Sequence, residues 1–199
     1  MRIPRFVIPA MLALALWPSV ASADGYFVPF VGANFGGDVG RPLGVVVKDR
    51  NPTTFGVGIG SMGAGVFGVE LDLGYTSRFY PDTAAVTGGN NLLTIMPALV
   101  LGVPIGGQRG PGVRPYVVAG VGLVRRNVDF GSLNGLSVND LGYTFGGGLM
   151  IFLADHVGVR GDVRYVRNFQ IDEISLAGVS FEQGTFNVGR ASAGLVFRF

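Results

Sequence analysis

Apolar and polar positions alternate with period two along much of the chain, as expected of strands whose two faces meet different surroundings. From Phe67 to Tyr75 the odd positions Phe67, Val69, Leu71, Leu73 and Tyr75 are apolar, while Gly68, Glu70, Asp72 and Gly74 are small or charged. The segment from Val157 repeats this, with Val157, Val159, Val163 and Tyr165 set against Gly158, Arg160, Asp162 and Arg164. Weaker versions complete a set of eight strands. They are predicted at Tyr26 to Gly36, Thr53 to Ser61, Gly65 to Ser77, Asn91 to Val103, Val113 to Arg126, Leu141 to Ala154, Val157 to Phe169 and Thr185 to Phe199. The connections alternate in length. Met62 to Ala64, Pro104 to Gly112 and Asp155-His156 are the short ones, whereas Gly37 to Pro52, Arg78 to Asn90, Asn127 to Asp140 and Gln170 to Gly184 are long. Tight turns at one end and elaborate loops at the other are the asymmetry of an up-and-down transmembrane β-barrel.

Periodicity alone does not say which stripe meets lipid. In a soluble periplasmic barrel holding an apolar ligand, the greasy stripe would point inward. Three features favour the opposite assignment. The charged stripe is rich in glycine, with Gly56, Gly58, Gly60, Gly120, Gly122, Gly142, Gly146 and Gly148 all on it, and eight strands enclose a lumen only just wide enough for side chains. The strands run to ten residues or more, as a tilted strand needs in order to cross hydrocarbon. The last strand ends on an aromatic residue, Phe199.

Composition narrows the class further. With 34 Gly, no Cys, 48% hydrophobic and 14% charged residues in 199, disordered and coiled-coil readings fail. The absence of Cys removes disulfides, thiolate catalysis and Cys-ligated metals, and a single His leaves little for metal or proton-shuttle chemistry. At the start, Arg2 and Arg5 precede an apolar run from Phe6 to Trp17 and an Ala21-Ser22-Ala23 site. This is a predicted signal peptide over residues 1–23, leaving a barrel domain over residues 24–199. Its removal takes Lys plus Arg from 15 to 13, equal to the 13 Asp plus Glu. The basic character belongs to the precursor, and nucleic-acid binding finds no support.

The terminal run Ser192-Ala193-Gly194-Leu195-Val196-Phe197-Arg198-Phe199 resembles the C-terminal signal of bacterial outer-membrane barrels. The segments Arg114 to Gly122 and Leu153 to Arg160 look like those of the small OmpA/OmpX-like barrel family, which includes opacity-type and adhesin-type surface proteins. The resemblance implies an all-β, eight-stranded antiparallel barrel in the cell outer membrane, inserted by the barrel-assembly machinery. Gly194, Phe197 and Phe199 would carry the assembly signal. The implied surroundings are outer-membrane lipid and lipopolysaccharide, with a host or surface ligand reached through the loops. The peptidoglycan-anchoring role of two-domain relatives is not implied.

Glu70, Asp72, Arg160, Asp162, Arg164, Arg190 and Arg198 share the inward stripe, with Arg114 and Arg126 as possible additions. Charges withdrawn from water are costly unless paired, so a structural ion-pair network is expected in the lumen. The alternative is a narrow channel for ions or small solutes. Gly58-Ile59-Gly60-Ser61-Met62-Gly63 spells a dinucleotide fingerprint, but a strand follows it where the motif requires a helix. No catalytic residue, cofactor or metal is assigned: His156 sits in a tight turn, and Asp129, Asp140, Asp172 and Glu173 read as solvated loop charges. Tyr26, Phe27, Phe79, Tyr80, Tyr116, Tyr143, Phe169, Phe197 and Phe199 are expected in interfacial girdles. Arg41, Lys48 and Arg50 in the first loop are candidates for polyanion contact.

Overall fold

The computed structural model describes residues 23–36, 52–63, 66–77, 90–106, 110–130, 133–169 and 187–199. These form eight strands, β1 (Ala23–Phe35), β2 (Thr53–Gly63), β3 (Phe67–Ser77), β4 (Asn90–Gly102), β5 (Gly112–Phe130), β6 (Leu133–Phe152), β7 (Val157–Asn168) and β8 (Asn187–Arg198). Each pairs antiparallel with the next, and β8 returns to β1 to close the barrel. No helix among the described residues is long and apolar enough to cross a membrane.

Closure is staggered. Following paired residues from Gly25 through Ser61, Val69, Leu99, Ala119, Phe145, Tyr165 and Gly189 leads back to β1 at Phe35, ten residues further along. A stagger of that size requires strands that tilt steeply against the barrel axis. Every residue in this row faces outward, so parity is kept around the whole ring. The consequence is a clean separation of faces. Leu71, Val159 and Val163 are exposed, and Phe67 is 70% exposed, while Glu70, Asp72, Arg160, Asp162 and Arg164 are buried. A soluble barrel with its greasy stripe inside is thereby ruled out, because an apolar ligand would meet charges in the lumen.

Glycine makes room where rings cross the lumen. Tyr26 and Phe30 of β1 pair with Gly60 and Gly56 of β2, and a Cβ at either glycine would overlap the ring beside it. Prolines interrupt the ladder locally: the β4–β5 register skips Met96 and Pro97, as the missing N–H of proline dictates.

Two sequence expectations are corrected by the fold. Residues 127–130 and 133–140, expected as part of a long loop, continue β5 and β6 as a paired ribbon reaching Phe130 and Leu133. Asn, Ser, Gly and Asp are frequent in this stretch, so pairing persists where the apolar–polar alternation that would reveal it is lost. Asp140 is accordingly not a solvated loop charge. It lies buried on β6 and pairs with Arg126 of β5.

Candidate functional site

The interior is layered. At its centre, three carboxylates and three guanidiniums interlock. Arg160, Asp162 and Arg164 project inward from β7 at spacing two, so one strand supplies a cation, an anion and a cation on a single face. Opposite them stand Glu70 and Asp72 of β3, four strands away in a ring of eight and therefore across the diameter. Arg160 donates to Glu70 through Nη1 at 2.6 Å and Nη2 at 3.1 Å, and Arg164 Nη2 donates to Glu70 Oε1 at 2.6 Å. Asp162 Oδ2 accepts from Arg160 Nη2 at 2.9 Å and from Arg164 Nη2 at 3.0 Å. Arg190 of β8 grips Asp72 with both terminal nitrogens, at 3.0 and 2.7 Å, and Arg164 Nη1 lies 3.3 Å from the same carboxylate. The bidentate form adds both strength and fixed orientation.

The Arg190–Asp72 clamp settles an apparent conflict. Arg164 and Arg190 are direct cross-strand partners of like charge, a pairing that is destabilising unless an anion sits between. Asp72 is that anion.

Neutral groups complete the layer. Tyr26 donates its hydroxyl to Glu70 at 2.8 Å, Tyr116 donates to Asp162 at 2.9 Å and accepts from Arg160 at 2.6 Å, and Ser192 donates to Asp162 Oδ1 at 2.5 Å. The Arg160 guanidinium lies 4.7 Å from the Tyr116 ring centre and that of Arg190 lies 4.6 Å from Phe30, distances at which cation–π attraction contributes. Tyr26 and Tyr116 are thus corrections to the expected girdle: both occupy even positions and are buried inside. Their parity carried that information, but an aromatic near a strand end also suits an interface. Phe27, Phe197 and Phe199 are exposed on the outer face, as a girdle requires, whereas Phe79 and Tyr80 lie outside the described residues.

Arg198, also expected in this network, is buried one layer nearer the short turns. Its Nε donates to the Asp155 carbonyl at 2.7 Å, and its guanidinium lies 4.4 Å from Phe152. Arg114 approaches the same ring at 5.4 Å. Around them an apolar cluster includes Val28, Met62, Val100, Met150 and Val196. On the loop side of the ion pairs a second cluster, Leu92, Met96, Val124, Val166 and Val188, fills one wall. Facing it, Thr76 bonds to Thr54 at 2.6 Å and to Asn34 at 3.2 Å.

The terminal strand closes the ring. Gly25 and Phe199 exchange backbone hydrogen bonds at 3.0 and 2.9 Å, and the Phe199 ring covers the face of Gly25 where a Cβ would stand. Gly194, also on β8, sits against the Pro29 carbonyl and Phe30 of β1, too close for a side chain. His156 and Asp155 lie exposed in the β6–β7 turn. Among the described residues no three His, Cys, Asp or Glu side chains come together as a metal site would require. Arg41, Lys48, Arg50, Asp172 and Glu173 fall outside the described residues, as does the side chain of Asp129.

Solved structures with this architecture are outer-membrane proteins. Neisserial surface protein A superposes with a TM-score of 0.64 at 15% identity, covering 88% of this chain and 97% of that one. Ail, the attachment invasion locus protein of Yersinia pestis, in complex with the heparin analogue sucrose octasulfate, gives 0.56 at 15% identity, covering 89% and 99%. OprG from Pseudomonas aeruginosa gives 0.52 at 14% identity, covering 89% and 96%. No curated protein sequence matches the chain. The sequence model of the outer membrane protein β-barrel domain matches residues 7–199. With that match, the closed ring of eight strands and the outward greasy face, the chain belongs to the outer-membrane protein β-barrel family and resides in the outer membrane.

Proposed function

We propose that the chain is a non-catalytic structural or surface-interaction barrel whose lumen is plugged by its own ion pairs. The observation that carries this reading is the bridge from β3 to β7, where Glu70 meets Arg160 and Arg164 across the diameter. Three anions against three cations leave no net fixed charge in the layer to select an ion, and apolar side chains stack on either side of it. Residues 1–23 serve as the secretion signal in this reading, with the cleavage point at the first residues of β1. The loop end faces the cell exterior and bears the contacts with host or surface ligands.

The plug is tested by electrical recording of the refolded barrel in planar bilayers. The expected result is no sustained conductance; robust, ion-selective single-channel current from the unmodified protein would overturn the plug and favour a narrow channel. In the same reading Gly194, Phe197 and Phe199 form the signal for the assembly machinery. Deleting Phe199 removes the backbone partner of Gly25, and outer-membrane levels are expected to fall several-fold in immunoblots of membrane fractions. Unchanged levels would remove the terminal signal from the account.

A further inference from the structure

Arg114 of β5 is a buried cation without a protein anion. It is 3% exposed, and among the described residues no carboxylate forms an ion pair with it. Its Nη1 reaches the Met62 sulfur at 3.5 Å, and its buried Nε has no hydrogen-bond partner among those residues. The guanidiniums of the central layer all meet carboxylates; this one does not. A cation withdrawn from water in this way is costly until an anion completes it.

The surroundings offer a route for one. Arg114 shares the Phe152 ring with Arg198, and Arg198 lines a cavity of about 260 Å³ at the short-turn mouth, together with Asp24, Asp155, His156 and Phe199. That volume lies below the roughly 300–1,000 Å³ of pockets that hold drug-sized molecules, so the occupant is small.

Charge in the cavity is graded with depth. Arg198, 7% exposed, and Arg114 behind the shared ring make the floor positive, while the half-buried Asp24 and the exposed Asp155 make the rim negative. An inorganic anion satisfies the floor but meets two carboxylates on the way. A metal cation meets the guanidiniums, and among the described residues no three ligating groups converge. A small molecule that carries a carboxylate and an ammonium a few bonds apart satisfies both levels, since a guanidinium takes the first by charge-assisted hydrogen bonds and carboxylates take the second. The Phe199 ring supplies an apolar wall for a short side chain.

We propose that this mouth binds a free α-amino acid as its zwitterion, with the carboxylate toward Arg198 and Arg114 and the ammonium toward Asp24 and Asp155. The site is separate from the central ion pairs, and a conducting barrel would leave it intact. His156 is the single histidine of the chain and stands at the rim, so its imidazole protons report occupancy by NMR. The test titrates alanine into untagged barrel purified from outer membranes, in nonionic detergent at constant pH. A saturable shift of the His156 resonances is expected, with half-saturation at about 1 mM. Alaninamide lacks the carboxylate and N-acetylalanine lacks the ammonium; each should bind about tenfold more weakly, the loss of one charge-assisted contact. Asp155→Asn, in an exposed turn, should weaken alanine by a similar factor without weakening N-acetylalanine. Arg114→Gln should weaken both. Equal affinity for N-acetylalanine or inorganic phosphate makes the mouth an anion site and overturns the proposal, as does the lack of a saturable shift with alanine or undiminished alanine binding in Arg114→Gln. If Arg114→Gln does not fold, the Asp155→Asn comparison decides, and unchanged alanine affinity there overturns the proposal.

Discussion

The inward stripe of one barrel reaches two different solutions. In the central layer Glu70, Asp72 and Asp162 are locked to Arg160, Arg164 and Arg190, and each carboxylate is held by at least two donors. Toward the loops Leu92, Met96, Val124, Val166 and Val188 fill the same kind of space with methyl and methylene groups. Both layers occupy volume, but they fail differently. An apolar layer loses roughly what is cut from it. A charged layer loses more than is cut, because each missing charge leaves a buried partner without compensation.

Removing one charge without removing volume isolates that difference. Glu70→Gln keeps the shape of the side chain but leaves three guanidiniums facing two carboxylates. A loss of about 3 kcal/mol is expected, read from urea unfolding of the barrel in micelles. Leu92→Ala deletes three carbon atoms from the upper layer and strands no charge, so a smaller loss of about 2 kcal/mol is expected in the same assay. Should the isosteric change at Glu70 cost less than the truncation at Leu92, the ion pairs are not the dominant feature of the interior.

Much of this arrangement was legible from parity alone. Glu70, Asp72, Arg160, Asp162 and Arg164 lie on the inward stripe because period two is fixed by the pleat, and one face of each strand is committed to hydrocarbon. Sequence pattern does not reveal which charges meet. The pairing of β3 with β7 depends on the ring having eight members, and the separate place of Arg198 depends on the ten-residue stagger. Tyr26 and Tyr116 show a different limit. An amphipathic ring suits an interface and a lumen equally; even parity places both rings inside, and Glu70 and Asp162 supply the acceptors that their hydroxyls need there. Asp140 and Arg126 were obscured because Asn, Ser, Gly and Asp dominate the ribbon around them, the composition of a loop in a segment that is paired.

The bridge across the diameter also bears on the order of events during insertion. Glu70 and Arg160 are 90 residues apart, and no hairpin of neighbouring strands brings them together. Their encounter must await the rolling of the sheet, so a half-wrapped intermediate carries its acidic and basic halves bare. Satisfaction of the core therefore coincides with completion of the ring.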